Sequence, residues 1–203
     1  DPGLEAGQVY EFSVWTRRGE GGGGGSAITG PNWANRDVSV GAEWARTAHI
    51  FVPPVRDDPG YVRVGHWHAQ GTILFDDAAI VPVSAVPLRR GELALGEGEA
   101  VQGREYTCRA PLGGYVGNYS RALHTHTAGL NTNRWVFSPG AEVIYRHDVG
   151  GVALTAATVT VTIGWYQGGA CHVEAGRDGV QWTEIGTLDE LGEVSFDIPD
   201  TLL

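Results

Sequence analysis

Thr158-Val159-Thr160-Val161-Thr162-Ile163 decides the fold class of this chain. Hydroxyl-bearing and aliphatic side chains alternate strictly, which puts one kind on each face of an extended strand. Every residue in the run is β-branched, a side-chain type that crowds a helix and packs well on a pleated surface. Nowhere does an apolar period of 3.6 residues persist, and 31 glycines and 10 prolines among 203 residues interrupt any long helix. The expectation is an all-β protein.

The same reading extends outward. Residues 8–15 alternate, and the uncharged set Tyr10, Phe12 and Val14 reads as the core face, with Glu11 and Trp15 opposite. Further strands are expected at 38–40, 42–52, 61–68 and 72–83, separated by Pro53-Pro54 and by Asp57-Asp58-Pro59-Gly60. Beyond these come 105–109, 121–124, 134–137, 142–147, 155–166, 170–175, 183–185 and 193–198. The five consecutive glycines of the segment 20–30 predict a mobile loop. No Gly-Lys-Ser/Thr ending makes it a phosphate loop. The connector near 84–92 divides the chain into two expected domains, 1–86 and 87–203, each a β-sandwich.

Composition narrows the function classes. The chain carries net charge −10, and its 14 basic residues are all arginine. No basic stripe suits nucleic acid, and no apolar run reaches the roughly 18 residues of a membrane helix. The absence of methionine reads as a chain excised from a longer precursor, and the acidic, lysine-free composition points to a secreted protein. Cys108 and Cys171 are both placed in the second sandwich, either bridged or buried as thiols, with the bridge favoured for a secreted protein.

Three ordered stretches carry a resemblance: "LEAGQVYEFSVWTRR" from Leu4, "EWARTAHIFVPP" from Glu43 and "YVRVGHWHAQGTILFDDAAIVPV" from Tyr61. Together they resemble the later two-thirds of a jelly-roll carbohydrate-binding module of the xylan- and glucan-binding type. That family's opening segment has no counterpart here, so the resemblance implies that another chain or a missing segment completes the first sandwich. It also implies that the aspartate at Asp76-Asp77 helps hold a structural calcium, and that Trp44 is a packing residue. "CHVEAGRDGVQWTEIG" from Cys171 resembles a hairpin of discoidin-like, galactose-binding-like sandwiches. There Asp178-Gly179 makes the tight turn, and Trp182 folds back over the hairpin.

A sugar site needs flat aromatic surfaces with polar companions. Trp15 and Trp67 qualify, with Glu11 and Arg63 on matching parity; the alternative is a domain or subunit interface. Trp33, in Pro31-Asn32-Trp33-Ala34-Asn35, is either a lid over a ligand or packing at a loop base. Asn118, Tyr119, Arg121, Asn131, Arg134 and Trp135 form a polar segment suited to a glycan, or else cap turns and pair with acids. Asn118-Tyr119-Ser120 is also a glycosylation sequon. For Asp76 and Asp77 the alternative to calcium is a solvated or backbone-capping pair. His66/His68 and His124/His126 have chelating spacing but no third ligand for zinc. No acid pair, triad or nucleophile elbow stands out. The expected function is non-catalytic polysaccharide binding within a larger glycan-active or surface protein, which could be a glycoside hydrolase or polysaccharide lyase. The alternative is an assembly domain with no glycan ligand.

Overall fold

A computed structural model describes residues 3–56 and 60–203, so the turn read at Asp57-Asp58-Pro59 lies outside the described residues. The protein is all-β: 49% of it is strand and 3% helix, in several sheets consistent with β-sandwich architecture. No helix among the described residues is long and apolar enough to cross a membrane. By internal contacts the chain divides into two compact units, Asp1–Val149 and Gly150–Leu203, where the sequence expectation put the division at 86/87.

The first unit runs β1 (Tyr10–Arg18), β2 (Ser26–Pro31), β3 (Ala34–Val38), β4 (Ala45–Phe51), β5 (Val62–Trp67) and β6 (Ile73–Pro82). It continues with β7 (Leu88–Arg90), β8 (Leu93–Leu95), β9 (Glu99–Gln102) and β10 (Glu105–Cys108). Then come β11 (Leu123–His126), β12 (Gly129–Asn131), β13 (Arg134–Val136) and β14 (Val143–Tyr145). An antiparallel sheet has the order β4-β1-β6, and a five-stranded sheet has the order β13-β12-β3-β2-β5. In the latter β12 pairs parallel to β3, Leu130 against Ala34. This pairing places residues from both sides of position 86 in one sheet. Three two-stranded ladders, β7-β8, β9-β10 and β11-β14, complete the unit.

Tyr10, Phe12 and Val14 do face the core, with Trp33, Ala34 and Phe51. Phe51 stacks on Tyr10 at 5.7 Å between ring centroids and meets Trp33 edge-on at 5.4 Å. His49, 2% exposed, spans to the facing sheet, where its Nε2 donates to the Ala34 carbonyl at 3.1 Å. Burial pushes its pKa down to about 4.

Two expectations change here. The glycine run is packed rather than free: Gly23 pairs with Gln70, Arg18 Nη1 donates to the Gly24 carbonyl at 3.0 Å, and β2 follows at once. Gly25 has φ +60°, and a Cβ there would lie 2.2 Å from the Ala69 amide nitrogen, so only glycine fits. Trp33 is 6% exposed and belongs to the core, where it packs in one cluster with Tyr10, Phe12, Val14 and Phe51. It is not a lid.

The second unit holds β15 (Thr158–Ile163), β16 (Cys171–Ala175), β17 (Thr183–Leu188) and β18 (Gly192–Asp197). β15 pairs with β18, and β16 pairs with β17. The alternation in β15 works as read: Thr158, Thr160 and Thr162 bond Asp197, Ser195 and Glu193 on one face. Val159 and Val161 stand opposite Phe196 and Val194 on the other. Asp178 closes the β16–β17 turn by accepting from the Val180 and Gln181 amides, each at 2.8 Å. Trp182 beside it is 39% exposed.

Candidate functional site

The outer face of β4-β1-β6 gathers the best-placed aromatic and polar groups. Residues opposite each other in a ladder share a face, and Trp15 stands between Arg46 on β4 and Asp76 on β6. Four residues earlier, on the same face of β1, Glu11 accepts from Arg46 Nη2 at 2.6 Å and from the Tyr115 hydroxyl at 2.5 Å. The Tyr115 bond first, and the Arg46 guanidinium after it, hold the Glu11 carboxyl below the usual carboxylate range. Tyr115 is 55% exposed on the short 3₁₀ turn Gly114–Val116. Trp44, just before β4, is 40% exposed with the Arg17 guanidinium 5.3 Å from its ring centroid. It is therefore no packing residue, because the turn before β4 leaves it outside the sheet.

Asp76 and Asp77 owe their places to a β-bulge. Between Ser13 and Trp15 the register slips, so that two residues of β6 oppose Val14 alone. Asp77 sits in that bulge at φ +48°, a conformation aspartate tolerates better than most residues, and its amide donates to Asp76 Oδ1 at 2.9 Å. This is the backbone-capping arrangement. Among the described residues no third His, Cys, Asp or Glu joins the pair. Calcium takes six to eight oxygens, and this pair supplies two carboxylates toward such a set.

Trp67 and Arg63 share a face of β5, in the five-stranded sheet, and so lie on a different sheet from Trp15 and Glu11. Trp67 is 59% exposed, with His68 edge-on at 4.6 Å between centroids.

The polar segment after residue 117 is largely consumed by structure. Asn118, 1% exposed, accepts from the Val52 amide at 2.8 Å and donates to the Val52 carbonyl at 3.0 Å, as a strand residue would. Its depth also removes it as an accessible sequon. His126, equally buried, contacts Asn118 and the Val52 and Ala128 carbonyls. Arg121 grips Glu99 through two bonds of 2.6 Å. Trp135 donates to the Tyr145 hydroxyl at 2.8 Å and lies 4.8 Å from the His126 ring. Tyr119 is half-buried, and Asn131 accepts from the Thr132 hydroxyl at 3.0 Å. Arg134 is exposed opposite Asn131 in the β12–β13 hairpin.

Cys108 is in the first unit and Cys171 in the second, and both are free thiols. Each is half-buried, which pushes its thiol pKa up. The expected pairing within one sandwich is thus replaced by two separate thiols.

Sequence reasoning missed Arg46, Tyr115, Arg17 and the exposure of Trp44. Arg46 carried a signal, since it follows Trp44 by two residues in an alternating run. Tyr115 carried none, being 104 residues from the glutamate it bonds. No protein family, curated protein or solved structure matches this chain.

Proposed function

We propose that this chain is a non-catalytic carbohydrate-binding element of a secreted glycan-active or surface protein, and that the outer face of β4-β1-β6 is its platform. The finer family reading, a jelly-roll module followed by a galactose-binding-like sandwich, belongs to the same proposal. The observation that carries it is Trp15, half-exposed between a cation and a carboxylate. A pyranose ring laid on the indole would meet a donor in Arg46 and an acceptor in Asp76, the combination that hydroxyl groups require. Trp44 and Tyr115 extend the aromatic surface, and Glu11 orients Arg46.

Calorimetric titration with xylan, β-glucan and an acidic polysaccharide tests this, beside thermal melts. Trp15→Ala is expected to remove roughly 1–3 kcal/mol of glycan affinity, the scale of a lost stacking platform, with little change in melting temperature. Trp67→Ala, on another sheet, is expected to leave that affinity intact. Absence of heat with every glycan, together with a strongly lowered melt for Trp15→Ala, overturns the proposal and favours an assembly role for the face.

A further inference from the structure

β5 is the last strand of its sheet, and among the described residues only β2 pairs with it. The Asn32 amide donates to the Tyr61 carbonyl at 2.8 Å, and this bond sets the phase of the ladder. In an antiparallel pair, hydrogen-bonded positions recur every second residue. Arg63, Gly65 and Trp67 therefore bond toward β2, and the amides and carbonyls of Val62, Val64 and His66 face off the edge. Pro31 stands opposite Val62, and its missing N–H agrees with that phase.

Val62, Val64 and His66 share a face with Pro31, Thr29 and Ala27 of β2. On β2 this face is buried, with Thr29 1% and Ala27 0% exposed, whereas Val62 is 37% and Val64 44% exposed. The covering layer stops over β2. Beside β5 runs an open groove of about 320 Å³, bordered by Ile28 of β2 and by Val62, Arg63, Val64, Gly65 and His66.

Natural edge strands are guarded by proline, bulges or inward charges. β5 has no proline and pairs with β2 without a register shift. Residues 60–70 carry Arg63, His66 and His68 and no carboxylate, within a chain of net charge −10. An unguarded edge with half-exposed valines on one face and an arginine on the other fits one occupant.

We propose that β5 accepts an extended strand of a partner protein in which aliphatic residues alternate with carboxylates. The partner's backbone pairs with Val62, Val64 and His66, its aliphatic side chains pack on Val62 and Val64, and a carboxylate on its other face meets Arg63. This does not depend on the carbohydrate reading.

The test uses the full chain and a fluorescein-labelled nine-residue peptide of alternating valine and aspartate. Two controls accompany it: the same peptide with alternate amides N-methylated, and one with lysine replacing aspartate. Anisotropy is expected to show saturable binding of the acidic peptide alone, weakened at least tenfold by Arg63→Glu or Val64→Lys at unchanged melting temperature. Site-resolved amide exchange is expected to slow at Val62, Val64 and His66. No binding up to millimolar peptide overturns the proposal, as does equal binding of the N-methylated peptide. Protection of those amides by xylan but not by the peptide also overturns it, and assigns the groove to a glycan.

Discussion

Glu99 has no exposed side-chain surface, and its partners surround it: Arg121 through two bonds, the Tyr106 hydroxyl at 2.5 Å and the Gly96 amide. Although burial opposes ionisation, Arg121 and Tyr106 together hold its pKa down to about 2. Arg121→Ala leaves that carboxylate buried without its cation and is expected to cost about 3–5 kcal/mol in chemical denaturation, as for other broken buried pairs. Its contribution is present above the ordinary glutamate pKa and is lost as pH falls toward 2. His49 acts in the same direction by the opposite chemistry. The unfolded chain takes a proton on this residue near pH 6.5, and the folded protein does so only near 4. Unfolding therefore gains protons across that window, and stability falls as pH is lowered through it, by roughly 3 kcal/mol in full. His49→Gln keeps an N–H for the Ala34 carbonyl and is expected to flatten this limb of the stability–pH curve. An unchanged limb would refute the assignment.

At the scale of elements, β17 and β18 come close where Gly186 faces Phe196. A Cβ built on Gly186 lies 2.0 Å from the Phe196 ring. Gly186→Val is expected to destabilise the second unit by about 1–3 kcal/mol or more, the usual scale of overpacking. Phe196→Leu in the same chain is expected to recover part of the loss, as thermal melts followed by near-ultraviolet circular dichroism would show. How much of an element could be read in advance depended on how local its cause was. The faces of β1 and β15 were legible because alternation is a property of neighbouring residues. β2 was hidden because its Ser-Ala-Ile-Thr-Gly sequence follows the glycine run, and its burial comes from strands on either side. Asp76-Asp77 was legible as a capping pair, but the bulge that gives the pair its purpose needs β1 as a partner. The platform was half legible: Glu11 and Trp15 follow from parity, while Tyr115 arrives from a distant turn.

For the molecule as a whole, the two units differ in how much each buries. Tyr10, Phe12, Val14, Trp33 and Phe51 anchor the first, whereas Leu188, 5% exposed, is the one buried apolar residue among the described residues of Gly150–Leu203. Small units below roughly 70–80 residues seldom draw enough stability from one core, and Cys171 makes no bridge here. Amide exchange is expected to show β15–β18 opening at lower free-energy cost than β1 and β4; equal protection would contradict this. The parallel pairing of β3 with β12 also has a consequence during synthesis. As the chain leaves the ribosome, β3 has its hairpin partner β2 at once, but its other edge stays open until Leu130 has emerged. Non-local pairings of this kind fold slowly and expose unpaired edges to other chains. A chain released after residue 86 would keep that edge bare permanently, so such a fragment is expected to collect in the insoluble fraction while 1–149 remains dispersed.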